Sequence, residues 1–152
     1  MDFTFDVFSK TRAFFKKIIE EQSLEDLNKI PKGFNNNIIW NIGHIIVTEQ
    51  VLIYKLSGLK PTISESLVSA YMKGTKPEKD VTQKDVNEIA SLLFSTLQQT
   101  EIDYKKGAFK NFKPYTVSTT GNTLNNVEEA LQFALFHEGL HFGYVLALLR
   151  AI

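Results

Sequence analysis

His137 and His141 are the two residues whose spacing most clearly indicates chemistry. They are four residues apart in a segment that reads as the last helix of the chain, and residues at this spacing lie on the same helical face. Two such imidazoles can bind one divalent metal ion. The sequence contains only 3 histidines, and the third, His44, lies in another apolar helical segment. Function therefore depends on whether the three side chains meet.

A site formed by His44, His137 and His141 has the composition of a catalytic metal centre. Three neutral imidazoles leave a divalent ion its full charge and at least one open coordination position. A bound water would become more acidic there, and a thiol or carbonyl would be polarised. The alternative is that inward-facing histidines are only hydrogen-bonded core residues, and for His44 alone this alternative is the stronger one. Two histidines on one core face, however, favour a shared partner.

The segment from His137 to His141 also matches His-Glu-x-x-His, the helical motif of zinc peptidases, in which the glutamate is the general base. The extended form of that motif requires a glycine and a third histidine, at positions that hold Tyr144 and Ala147 here. The 11 residues after His141 include no acidic residue for the other peptidase type. A metallopeptidase is therefore the less favoured alternative. Glu138 remains a candidate catalytic residue, either as a base or as a group that orients an imidazole.

Composition limits the class of protein. The 152 residues fit one domain spanning residues 1–152, with 43% hydrophobic and 22% charged residues, as in ordinary globular proteins. Lys+Arg and Asp+Glu both number 17, and this balance gives no support to nucleic-acid binding. The absence of cysteine excludes disulfides, thiolate ligands and cysteine nucleophiles. With no signal-peptide pattern and no apolar run long enough for a membrane span, we expect a cytoplasmic protein without a membrane partner.

Four segments have helical periodicity. The first runs from about Phe5 to Glu21, and the second from Ile38 to Leu56 after an asparagine run that offers an N-cap. The second is apolar on more than one face, which predicts burial by neighbouring helices or by a second subunit. The third opens with Thr82 to Asp85, a pattern resembling a capping box, and ends near Gly107. The fourth begins between Thr123 and Asn126 and continues to the end of the chain.

The remaining segments are shorter. Residues Ser64 to Met72 are predicted as a short helix, and Val117 to Thr120 are the one stretch that suggests a local strand. In the last helix an inward-facing row is predicted from its steps of four and three residues: Ala130, Ala134, His137, His141, Tyr144 and Leu148. Four long helices without a second strand pattern predict an all-α four-helix bundle. Such bundles build metal sites from inward-facing side chains on neighbouring helices.

Three segments carry a resemblance to a known family. Residues Asn36 to Ile45, with the sequence Asn-Asn-Ile-Ile-Trp-Asn-Ile-Gly-His-Ile, resemble the second-helix motif of the DinB-like superfamily. Residues Tyr71 to Pro77 resemble its mid-chain loop, and residues His137 to Gly143 resemble its last-helix motif. The order and spacing of the three segments agree with the family, so the resemblance covers most of the chain.

The resemblance implies a fold, a cofactor and a range of activities. The fold is a four-helix bundle with up-down-down-up topology and a long crossover. The cofactor is a divalent metal held by three histidines, which correspond to His44, His137 and His141. Members include thiol S-transferases that join bacillithiol or a similar low-molecular-weight thiol to an electrophile, and homodimers are common. Many members carry glutamine where this chain has Tyr144, so no substrate role is carried over to that position.

The expected function is therefore a metal-dependent enzyme of DinB type, with transferase or hydrolase chemistry. Its partners would be a small-molecule thiol, an electrophilic substrate and a second copy of the chain. Zinc is the first expectation for the metal, with nickel, iron(II) and manganese as alternatives, because imidazoles alone do not select among them. The competing hypothesis is a non-catalytic dimeric helical bundle in which the apolar second helix serves dimerisation.

Overall fold

The computed structural model describes residues 1–152, and 64% of them are helical. The four long helices are α1 (Asp2–Glu21), α3 (Ile38–Gln50), α5 (Gln83–Lys105) and α6 (Val127–Ala151). Two short helices, α2 (Leu24–Asn28) and α4 (Glu65–Tyr71), lie between them. Two strands of two residues each, β1 (Tyr115–Thr116) and β2 (Thr123–Leu124), form an antiparallel ribbon. The prediction of an all-α protein is confirmed.

Side-chain caps fix where three of the long helices begin. The Asn37 side chain accepts a hydrogen bond from the Trp40 backbone N–H at 2.9 Å, so α3 starts directly after the asparagine run. Thr82 and Asp85 form the reciprocal bonds of a capping box at the start of α5, as the sequence predicts. Asn126 caps α6 by accepting from the backbone N–H of Glu129 at 2.9 Å.

Helix α3 lies at the centre of the molecule. It contacts α5 and α6, and these two helices also contact α1. Every residue of α3 except Thr48 is buried. The sequence left open whether a second subunit covers this apolar helix, and the structure shows that the chain covers it itself. A dimer built on the face of α3 is therefore not available, because that face is already packed.

Three local features differ from the prediction. Helix α1 begins at Asp2 rather than near Phe5, and the acidic residue in its first turn suits the positive end of the helix dipole. The second helical segment does not stay α-helical to Leu56, because Val51–Lys55 form a π-helical turn. The strands flank the predicted segment, and residues 118–120 form the turn between them. Strands of two residues are too short to give the alternation that a sequence pattern needs.

The buried face of α6 also differs from the predicted face by a rotation about the helix axis. Ala130, Ala134 and Leu148 are buried as expected, but His137 and His141 are only half-buried. Glu138 is the deeply buried residue at this level, with 1% of its surface exposed. The histidines therefore lie at the edge of the packed face, which leaves one side of them open to a cavity.

None of the helices has both the length and the apolar character that a membrane-spanning helix requires.

Candidate metal centre

The three histidines meet between two packed helices. His44 comes from the middle of α3, and His137 and His141 come from successive turns of α6. One ring nitrogen of each lies within 4.8 Å of the corresponding nitrogens of the other two. The ring centroids of His44 are 5.2 Å from His137 and 4.8 Å from His141, and those of the α6 pair are 4.5 Å apart. Residues nearly a hundred positions apart thus form one cluster.

This group of three nitrogens suits a divalent cation. Zinc–imidazole bonds are about 2.0–2.1 Å long, so two nitrogens on one ion are separated by at most about 4.2 Å. The nitrogens of the cluster lie within 4.8 Å of one another, so the widest pair must close by about 0.6 Å or more on binding. The cluster contains no carboxylate and no sulfur. The donor set is therefore neutral and leaves the charge of the cation uncompensated.

Hydrogen bonds orient two of the imidazoles. His44 Nδ1 lies 2.6 Å from the backbone carbonyl oxygen of Tyr71, and His141 Nδ1 lies 2.7 Å from the side-chain oxygen of Asn41. Both partners are acceptors, so each Nδ1 carries the proton and each Nε2 presents its lone pair. In His44 this Nε2 is 3.3 Å from the hydroxyl oxygen of Thr48. The two helices thus hold the imidazoles in the tautomer that metal binding needs.

Burial keeps all three imidazoles neutral. The pKa of His137 is lowered to about 4, mainly by burial and to a smaller extent by the nearby His44. Burial lowers the pKa of His141 to about 3, with smaller contributions from His137 and His44. The pKa of His44 is also lowered by burial, although the hydrogen bond to Tyr71 acts in the opposite direction. Neutral imidazoles are the form that binds metal, so the site is ready for a cation at neutral pH.

Packing around His44 is tight. The Trp40 ring stacks on the imidazole with centroids 4.8 Å apart and an interplanar angle of 10°. One residue before His44, the backbone of Gly43 touches the ring of Tyr71 so closely that a Cβ there would lie 2.6 Å from it. Only glycine allows α4 to approach α3 at this distance. The approach brings the Tyr71 carbonyl within reach of the imidazole.

Glu138 faces away from the histidine group. One of its oxygens accepts a hydrogen bond from Arg12 Nε at 3.2 Å, and both side chains are almost fully buried. Arg12 also donates to the carbonyl of Leu93 and the hydroxyl of Thr96, and lies 3.7 Å from the carboxylate of Glu49. Burial raises the pKa of Glu138 to about 7, although Arg12 opposes the shift. The role of Glu138 as a base stays a prediction, because its observed partner is an arginine.

The site contains partners that the sequence did not reveal. A backbone carbonyl such as that of Tyr71 has no signature in a sequence, since every residue carries one. Asn41 lies one turn before His44 on the same helix, but its oxygen reaches across to His141. Arg12 showed no sign of burial, because a single basic residue in an amphipathic helix is normally exposed. Tyr144 packs against Phe34, with ring centroids 5.5 Å apart.

A cavity of about 420 Å³ opens beside the histidines. His44 and His137 form part of its wall, together with Thr48. The rest of the wall is mainly apolar and comes from α3, the π-helical turn, α4, α6 and the ribbon segment. A molecule of modest size that enters this cavity meets the two imidazoles directly.

A bundle of helices that brings three histidines together beside a cavity defines a class of helical proteins with a candidate metal centre. The sequence model of the DinB superfamily matches residues 8–145. The chain therefore belongs to the DinB superfamily. No curated protein matches the sequence.

Proposed function

We propose that this protein is a metal-dependent enzyme that transfers a low-molecular-weight thiol to an electrophile, or hydrolyses its substrate, at a site formed by His44, His137 and His141. The observation that carries the proposal is the meeting of three imidazoles beside a cavity whose wall includes two of them, His44 and His137. A divalent ion bound there supplies a Lewis acid that lowers the pKa of a bound thiol or water. Zinc is the first candidate, ahead of nickel, iron(II) and manganese.

The surrounding residues support such chemistry. Asn41 and the Tyr71 carbonyl hold two imidazoles by their Nδ1 atoms, so the ligand set loses little freedom when it binds a cation. The apolar wall of the cavity removes water from the reacting groups and strengthens electrostatic interactions there. The hydroxyl of Thr48 lies at the same wall and offers a hydrogen bond to a bound reactant.

The topology of the bundle is part of the proposal. We infer an up-down-down-up arrangement with a long crossover between α3 and α5. One buried cluster joins Phe15, near the end of α1, to the beginnings of α3 and α5 and the end of α6. The other joins the beginning of α1 to the π-helical turn that follows α3, the second half of α5 and the beginning of α6. Helices α1 and α6 would then run one way, and α3 and α5 the other.

We also propose a homodimer. Phe136 and Leu140 are one turn apart on α6 and are 47% and 45% exposed. Apolar side chains of this size on one exposed face are typical of an interface. Light scattering after size exclusion should give twice the mass of the chain, and the double variant Phe136→Glu/Leu140→Glu should give one chain mass. A monomeric native protein would overturn this part of the proposal.

The main test measures metal and turnover together. Elemental analysis of tag-free protein should find about one equivalent of divalent metal. His44→Ala, His137→Ala and His141→Ala should each lose it while retaining helical circular dichroism. Metal-loaded protein should then transfer bacillithiol or a related thiol to an electrophile such as monochlorobimane. Folded protein without metal, or unchanged metal content in His44→Ala, would overturn the three-histidine site.

Glu138→Gln separates this proposal from a metallopeptidase. Glutamine preserves the shape of the side chain but is not a base. A thiol transferase should keep most of its turnover in this variant, because the carboxylate is directed at Arg12. A peptidase would cleave peptides and lose that cleavage with Glu138→Gln.

A further inference from the structure

The cavity beside the histidines has an uneven distribution of charge. Its wall contains two lysines, Lys55 and Lys73, and no aspartate or glutamate. The other large cavity, of about 450 Å³, differs because its lysines are accompanied by Glu78, Asp85 and Glu88. The charge of the first cavity is therefore positive, although the protein as a whole has no net charge.

These two lysines are not neutralised by the protein. Four other lysines form the ion pairs with carboxylates: Lys10, Lys16, Lys17 and Lys105. Lys73 donates a hydrogen bond to the hydroxyl of Ser118, which is also in the cavity wall. Lys55 forms neither an ion pair with a carboxylate nor a side-chain hydrogen bond. The cavity thus offers a cation whose natural complement is an anion from outside.

The rest of the wall is apolar. Nine of its 16 residues are hydrophobic, and Val51, Leu56, Met72 and Phe133 are among those with accessible surface. A strongly hydrated anion such as free phosphate would leave these surfaces uncovered. A molecule with an apolar body and one acidic group satisfies both parts of the wall.

We propose that the cavity binds an amphiphilic organic acid, whose carboxylate pairs with Lys55 and whose apolar body lies against the half-buried Val51, Leu56 and Phe133. The inference names the substrate class of the proposed metal enzyme and so rests on the proposed function. Lys55 follows His44 by eleven residues and lies at the far end of the π-helical turn that continues α3. The end of the molecule remote from the carboxylate therefore lies toward the imidazoles. Lys73 adds positive charge without forming the principal ion pair, because Ser118 already engages it.

Calorimetric titration with octanoate and octanol tests the assignment on the full chain, both zinc-loaded and metal-free. The two probes share an apolar body and differ in charge. We expect octanoate to bind about fivefold more tightly, the upper effect of one ion pair at an exposed lysine. Lys55→Gln should remove most of the preference and leave octanol affinity unchanged. Lys73→Gln should reduce the preference by less.

Lys60→Gln is the matched control, because Lys60 is an exposed lysine that does not line the cavity. It should retain the full preference. Equal affinity for the two probes, binding of neither, or an unchanged preference in Lys55→Gln would each overturn the assignment. If the protein binds no metal but still prefers octanoate through Lys55, the proposed function fails and the cavity assignment stands. If the protein binds metal and transfers a thiol but shows no preference for octanoate, the proposed function stands and the cavity assignment fails.

Discussion

The hydrogen bond between Asn41 and His141 connects the two helices that supply the ligands. The oxygen of Asn41 is 2.7 Å from His141 Nδ1, and its amide nitrogen donates to Asn36 and to the carbonyl of Asn37. All three bonds fix the direction of the Asn41 side chain, so the acceptor is positioned before any cation arrives. Groups that hold a ligating histidine in this way raise its basicity and restrict its ring.

Asn41→Ala should therefore weaken metal binding. We expect a loss of about 10- to 100-fold in affinity, measured by competition with a chromophoric chelator. Asn41→Asp is the matched variant, because it keeps an acceptor oxygen facing His141 Nδ1 and should restore most of the affinity. Both variants lose the amide donor, so equal affinities in the two would show that the contact with His141 does not matter.

The lowered pKa values of the histidines predict how acid affects the metal-free protein. His137 titrates at about 4 and His141 at about 3 in the folded state, against 6.5 for an ordinary histidine. Below pH 6.5 these two histidines bind more protons in the unfolded chain than in the folded chain. The free energy of unfolding should then fall as the pH drops from 6.5 toward 4, by at most about 1.4 kcal/mol per pH unit for each histidine.

Denaturant titrations at several pH values check this expectation. Glu138 acts in the opposite direction, because its raised pKa makes the folded state bind a proton more readily than the unfolded state below pH 7. The comparison must therefore be with His137→Asn/His141→Asn, which keeps Glu138 and removes the two imidazoles. The variant should lose less stability than the native chain between pH 6.5 and 5. Parallel curves would contradict the prediction.

At the scale of elements, the contact between α3 and α4 determines where the Tyr71 carbonyl lies. Gly43 lacks the Cβ that would collide with the Tyr71 ring at 2.6 Å. Helix α6 also contains glycines, but a Cβ at Gly139 would meet nothing within 4 Å. The two glycines share a helical setting and differ in whether another element approaches them.

Alanine substitutions should therefore have opposite effects at these positions. Gly43→Ala forces α4 away and should cost about 1–3 kcal/mol in the free energy of unfolding, as overpacking does. It should also weaken metal binding, because the acceptor for His44 moves with Tyr71. Gly139→Ala should stabilise the protein by about 0.5–1 kcal/mol, since alanine is the better helix former. Chemical denaturation measures both, and a stabilised Gly43→Ala would contradict the packing argument.

The features of the fold that depend on neighbouring residues could be predicted from the sequence. Periodicity and caps predicted the long helices, and the spacing of His137 and His141 predicted that they share a face. Contacts between helices that are distant in sequence could not be predicted in this way. The deep burial of Glu138 depends on Arg12, which is 126 positions away. No local sequence pattern around either residue predicts that the two side chains pair. The π-helical turn at Val51–Lys55 was not predicted. The segment from Ile38 to Leu56 is apolar on more than one face, so its hydrophobic pattern does not distinguish a π-helical turn from a continuing α-helix.

Across the whole molecule, one buried polar cluster connects all four long helices. Arg12 from α1 lies at its centre, bound to Glu138 of α6, close to Glu49 of α3, and hydrogen-bonded to Thr96 of α5. The carboxylate of Glu49 also accepts from the hydroxyl of Thr100 at 2.5 Å. Because Glu138 is next to His137 in sequence, the cluster determines how α6 is turned and so which face carries the histidines.

Removing the cation alone should be costly, because two buried carboxylates would remain without it. We expect Arg12→Met to lower the free energy of unfolding by about 3–5 kcal/mol at pH 7.5. The triple variant Arg12→Met/Glu49→Gln/Glu138→Gln removes every charge and should recover part of that loss, since no uncompensated carboxylate is left. Denaturant unfolding followed by circular dichroism gives both values. A triple variant no more stable than Arg12→Met would show that shape, rather than charge compensation, makes Arg12 necessary.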